Sequence, residues 1–146
     1  MKVFVSQPMS GLTNEEINEN RIKSMEVLQF LNPDIIIEYD PASLYIQEDL
    51  EMEESLSVDD PNTTKNRISL FYFLRSVQHM VGKDAIVFLD GWQDSRGCIL
   101  EYFIAKAFGL TILGEFVNKL EFKSVIGYKD MQTILMNLFK YLKWRG

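Results

Sequence analysis

The stretch Asp84-Ala85-Ile86-Val87-Phe88-Leu89-Asp90-Gly91-Trp92-Gln93-Asp94-Ser95-Arg96-Gly97-Cys98-Ile99-Leu100-Glu101 decides the fold. Ala85–Leu89 is an unbroken apolar run of strand length, closed by Asp90-Gly91. Gly97–Phe108 then reads as a helix, with Ile99, Phe103 and Ala107 at fourfold spacing and Gly109 as a natural stop. A strand that is apolar throughout, rather than at alternate positions, belongs in a parallel sheet buried on both faces.

The flanking sequence repeats this alternation. Lys2–Ser6 is a second short apolar strand, ended by Gln7-Pro8-Met9-Ser10-Gly11. Thr13 and Glu16 have capping-box spacing, so a helix starts there, with Ile17, Met25, Leu28 and Leu31 as its apolar face. Asn32-Pro33 stops it, and Asp34–Ile37 reads as another strand. About Lys65 to Val81 is a strongly apolar helix, Leu110–Leu113 a short strand, and Glu115–Ile126 one more strand or a hairpin. Asp130–Leu142 is a closing helix with Met131, Ile134, Leu138, Tyr141 and Leu142 on one side.

The expected architecture is one α/β domain over residues 1–146, a doubly wound parallel sheet of about five strands with helices on both faces, flavodoxin-like or Rossmann-like. Residues 40–64 carry Glu48, Asp49, Glu51, Glu53, Glu54, Asp59 and Asp60 with no basic residue before Lys65. They read as a solvated acidic insertion, with a short helix after Asp40-Pro41, or as a mobile lid. Their spacing matches no cation-binding loop.

Bulk properties narrow the function classes. No apolar run approaches the length of a membrane span, and a strand-like run directly after Met1-Lys2 does not read as a signal peptide. The single cysteine, Cys98, excludes an internal disulfide framework and fits a reducing cytoplasm. A net charge of −6 turns the expectation away from nucleic acid and towards a small molecule or another protein.

In open α/β sheets, ligands bind beyond the carboxyl ends of the strands. Two loops leave such ends here, Ser6–Gly11 and Asp90–Gly97. Ser95 or Asp94 caps the helix that follows, whose free amide groups form an anion site. Gly97 leaves room for a ligand to approach the backbone. Glu101 lies one turn further on the same side, and helical side chains lean towards the N-terminus, so its carboxylate points back at the loop mouth. The bland readings are a Glu101 that only answers the helix dipole, a Trp92 that packs in the core or rim, and a Cys98 that is a small buried hydrophobe. The sharper ones are a catalytic Glu101 and a base-stacking Trp92.

Val5-Ser6-Gln7-Pro8-Met9-Ser10-Gly11-Leu12, taken with Asp84-Ala85-Ile86-Val87 and Gly91-Trp92-Gln93-Asp94-Ser95-Arg96-Gly97 plus Glu101, resembles the nucleoside 2-deoxyribosyltransferase-like superfamily. The similarity is to its small bacterial and phage-borne branch, related to the deoxynucleoside 5′-monophosphate N-glycosidases, and it covers roughly residues 1–113. The resemblance implies that Glu101 attacks C1′ of a 2-deoxyribose, forming a covalent glycosyl intermediate through an oxocarbenium-like transition state. It implies that Ser95 helps hold a 5′-phosphate and that the Ser6–Gly11 loop packs against sugar and phosphate. Asp90, Gly91, Trp92 and Gly97 complete the expected nucleoside or nucleotide site, without metal or other cofactor, in a homo-oligomer.

Three positions depart from that pattern. Ser76 stands where the superfamily has an Asp acting as general acid or base, Ser10 where the monophosphate enzymes have Arg, and Phe4 where a strand tyrosine is common. Asp90 or Asp94 is the substitute acid, Asp94 being preferred, and Arg67, Arg75 or Arg96 the substitute phosphate charge. Two function classes follow: an enzyme that cleaves or transfers at the N-glycosidic bond, and a module that binds a nucleotide without turnover.

Overall fold

Two apolar runs far apart in the sequence become neighbouring strands. In the computed structural model, which describes residues 1–37 and 46–142, β1 (Val3–Ser6) lies parallel to β2 (Ala85–Phe88), with Val3 opposite Ala85 and Ser6 opposite Phe88. The sheet continues with β3 (Thr111–Phe116), parallel to β2, and β4 (Phe122–Lys123), which returns antiparallel to β3 as a hairpin. The helices are α1 (Asn14–Leu31), α2 (Ile46–Leu56), α3 (Pro61–Met80), α4 (Arg96–Phe108) and α5 (Tyr128–Tyr141), with a single 3-10 turn at Trp92–Asp94. The fold is thus α/β with a four-stranded, mostly parallel sheet in the order β1-β2-β3-β4.

The strand expected at Asp34–Ile37 is reduced to an isolated parallel bridge between Ile36 and Lys2. Two hydrogen bonds make it, Val3 N–H to Ile36 O at 2.9 Å and Ile36 N–H to Met1 O at 2.7 Å. Asn32 ends α1 and its side chain accepts from Asp34 N–H, so a turn takes up the start of the run. Only Ile35 of the run is buried, so little apolar area rewards a longer ladder. The expected helix start after Asp40-Pro41 lies outside the described residues.

Contacts group the chain into two units, one made from 1–38 with 83–146 and one from 39–82. In the first, Val3, Val5, Ala85 and Val87 share a core cluster with Leu28 of α1, Ile35 and Phe116. Side chains alternate across a strand, so Ile86 and Phe88 bury on the opposite face. There the Phe88 ring meets Trp92 at 4.2 Å and Tyr102 of α4 at 5.8 Å between centroids. α4 buries Cys98, Ile99, Glu101, Tyr102 and Ala105, a stripe displaced from the expected Phe103 and Ala107. Contact with that aromatic group, and not fourfold spacing alone, selects its inner face.

β3 contains one irregularity. Ile86 pairs with Ile112 but Val87 with Gly114, which leaves Leu113 as an extra residue. Gly114 has φ of +143°, and a Cβ there would collide with the Lys123 carbonyl oxygen, so only glycine fits where β4 folds back.

The second unit pairs α2 with α3. Asp60 caps α3 and Pro61 occupies its first position, so the helix begins a turn earlier than its apolar pattern suggests. Tyr72 Oη donates to Glu53 at 2.9 Å, and Arg75 pairs with Asp49 while lying 4.8 Å over the Phe71 ring. Part of the acidic segment is therefore helix, with two of its carboxylates bonded inside this unit. Among the described residues no helix is long and apolar enough to cross a membrane.

Candidate functional site

β1 ends in Ser6, and the chain then leaves the sheet while Leu89 N–H, just past β2, donates to Ser6 O at 2.9 Å. The carboxyl ends of the two strands are thereby tied together, and their loops follow side by side. A Cβ built on Gly91 would lie 3.8 Å from Pro8 Cγ. Gly91 itself has φ of +82°, the left-handed conformation that lets the chain reverse into the 3-10 turn. Ser95 then caps α4, its hydroxyl accepting from Cys98 N–H at 3.4 Å, a contact worth about 1 kcal/mol.

One turn into α4, Glu101 is 5% exposed. Ser6 Oγ donates to Glu101 Oε1 at 3.0 Å, across 95 residues of sequence. Glu101 Oε2 is equally buried and has no hydrogen-bond partner. Burial raises the carboxyl pKa to about 7, against the opposing pull of the Ser6 hydrogen bond and the Arg21 charge. The group therefore exchanges its proton near neutrality, as acids and nucleophiles in working sites do. Beside it the Cys98 thiol is pushed up to about 12, chiefly by burial and then by the Glu101 charge. It stays a thiol across ordinary pH and is no nucleophile.

The other residues singled out in the sequence divide into three groups. Ser95 and Gly97 are half-buried around the start of α4, and Pro8 is half-buried against Gly91. Met9, Ser10, Gly11, Asp90, Gly91 and Asp94 line the exposed rims of the two loops. Gln7 and Trp92 turn inward. Gln7 Nε2 donates to Ile17 O at 3.0 Å and fastens the first loop to α1. Trp92, 2% exposed, packs on Phe88 and Tyr102, and its Nε1 donates to Glu115 Oε2 at 2.9 Å. The indole is a core ring, without a face open for stacking.

Several structural partners carry no local sequence signal. Glu115 is a second buried carboxylate, receiving Trp92 and also Gln93 Nε2 at 3.3 Å. Asn137 of α5 donates to Gln93 O at 2.6 Å, and Tyr141 Oη donates to Asp94 O at 3.0 Å. The closing helix thus grips the backbone of the 3-10 turn. Arg21, half-buried on α1, is the cation whose field reaches Glu101. Of the arginines weighed in the sequence, Arg75 is engaged by Asp49 in the α2–α3 unit, and Arg67 and Arg96 are exposed.

Among the described residues, no group of three or more His, Cys, Asp and Glu side chains is placed to hold a metal ion. An open groove at the α2–α3 connection, lined by Val58, Pro61, Lys65 and Ile68 among others, contains none of the candidate site residues of the two strand-end loops or α4.

No curated protein and no solved structure matches the chain. One family does, described as a domain of unknown function, and its match runs from residue 38 to residue 114, more than half of the 146 residues. That span takes in the acidic segment, β2, the turn at Gly91, Glu101 and the bulge at Gly114; Ser6 and its loop precede it. The chain belongs to the DUF4406 family.

Proposed function

We propose that the chain binds a 2-deoxynucleoside or its 5′-monophosphate at the paired strand ends and breaks or transfers its N-glycosidic bond through Glu101. In this reading the sheet is the doubly wound, flavodoxin-like kind, with its ligand over the ends of β1 and β2. The observation that carries it is the state of Glu101: buried, held by one oxygen, bare at the other, and half-ionised near pH 7. The ionised carboxylate attacks C1′, a new C–O bond forms, and the C–N pair leaves with the base, which takes a proton. Water or a second base then displaces Glu101 from C1′. Asp94, on the rim, is the candidate to supply the proton, and Ser95 with the α4 amides the candidate to hold a phosphate. No metal or redox cofactor is needed.

The test is release of free base from each deoxynucleoside and its 5′-monophosphate, followed by chromatography. Wild type should release base, and Glu101→Gln should lose on the order of 10³-fold or more in rate. Equal release by the two proteins across the panel removes the enzyme reading. The second reading, binding without turnover, is favoured by Ser76 in the place of an acid and by the exposure of Asp90 and Asp94. A nucleotide-dependent rise in melting temperature without base release would establish it. Both readings include a homo-oligomer, with the exposed Met136 and Phe139 of α5 and Leu142 just past its end as the apolar groups available for its interface. Sedimentation showing only monomer at micromolar concentration would remove that element.

A further inference from the structure

We propose that Ser6 is the positioning residue of the site, fixing Glu101 by Oε1 so that Oε2 is the oxygen that attacks. The inference rests on the glycosidic reading of Glu101 but concerns a different residue and a specific atom.

The geometry makes the two carboxylate oxygens unequal. Oε1 accepts the Ser6 hydroxyl at 3.0 Å, and that bond withdraws electron density and occupies a lone pair. Oε2 is buried without any hydrogen bond, so once a sugar displaces the groups that cover it, no hydrogen bond has to be broken before it bonds to carbon. A desolvated anionic oxygen is costly in the free protein, and positive charge developing at C1′ relieves that cost in the transition state. Ser6 suits the task because it cannot drift. It is the last residue of β1, fully buried, in register with Phe88, and its carbonyl is held by Leu89 N–H. A short side chain on such a strand end leaves its hydroxyl almost no freedom, so the glutamate it holds is fixed by the sheet and not only by its own helix. Arg21 on α1 acts on Glu101 by its charge, and the neighbouring Cys98 thiol on α4 feels Glu101, Ser6 and Ser95. Cys98 stays a neutral thiol near neutrality, so the titration followed is that of Glu101.

The experiment uses the full chain with Ser6→Ala and Ser6→Thr, beside wild type and Glu101→Gln. Carbon-13 NMR of chains labelled at the glutamate carboxyl carbon follows Glu101 directly, the signal absent from Glu101→Gln identifying it. Loss of one hydrogen bond to the charged form should move the midpoint in Ser6→Ala up by about one pH unit. The acid limb of the rate of base release should move with it, and the rate at pH 6 should fall about tenfold. Ser6→Thr keeps a hydroxyl at the same atom and should restore the midpoint. Should the added methyl group prevent folding of that variant, Ser6→Ala, which only removes an oxygen, carries the test alone. An active wild type with Ser6→Ala unchanged in both midpoint and pH profile overturns the role of Ser6 and leaves the Glu101 reading standing. A wild type no faster than Glu101→Gln overturns both, whatever the midpoint does.

Discussion

Glu101 and Glu115 are equally buried, yet their surroundings differ in kind. Glu115 closes β3 with two donors on one oxygen, Trp92 and Gln93, both from the turn beyond β2. Glu101, on a helix over the strand ends, has one donor and one bare oxygen. A buried carboxylate with matched donors holds a fold together, and one left partly unmatched costs stability. The contrast separates a residue that builds the loop from one that the loop presents.

The largest effect should come from removing the satisfied acid. Glu115→Ala leaves a buried Trp92 N–H without acceptor and opens a cavity, and should lower stability by about 3–4 kcal/mol in urea unfolding. A loss below about 1 kcal/mol would place Glu115 outside the structural role assigned to it. Glu101→Gln should act in the opposite direction. The pKa of Glu101 in the folded chain, about 7, lies above the 4.5 of an open chain. Between those values the folded protein holds a proton that the unfolded one has lost, so wild-type stability falls as pH rises through that window. Glutamine carries no such penalty, and the variant should exceed wild type by about 2–3 kcal/mol at pH 8 and by almost nothing at pH 4. A pH-independent difference would mean that Glu101 is not held in its protonated form.

Trp92→Phe keeps the aromatic packing but withdraws the stronger donor from Glu115, and should cost about 1–2 kcal/mol without moving the Glu101 titration. Any shift of that titration would show that the two carboxylates are coupled through the turn. The smallest effects belong to α5. Asn137→Ala should cost about 1 kcal/mol and Tyr141→Phe about 0.5 kcal/mol, with faster amide hydrogen exchange confined to the Gly91–Ser95 backbone.

What the sequence made legible was local. The apolar run at Ala85–Leu89, the Thr13–Glu16 cap and the Ser95 cap depend on residues within a turn of one another, and each appears where its spacing puts it. The inner face of α4 did not follow its spacing, because Phe88 and Trp92 determine which residues it buries. Glu115 and Asn137 carry no local signal for the same reason. Their partners lie 22 to 44 residues away and leave no periodic trace. Glu101 and Ser6 each carry a local mark, one from its place on a helix and one from its place at the start of a loop. That one bonds to the other is a property of β1 lying beside β2, which no single segment encodes.

The grip of α5 on the 3-10 turn has a consequence for synthesis. The strands, the loop and the helix bearing Glu101 are all translated before the chain reaches Asn137 and Tyr141, whose bonds to Gln93 and Asp94 anchor that turn. A nascent chain can therefore assemble its sheet and tie the turn to Glu115 before the turn's backbone carbonyls have their α5 partners. The last two bonds to the backbone of that turn form only once the closing helix has been made.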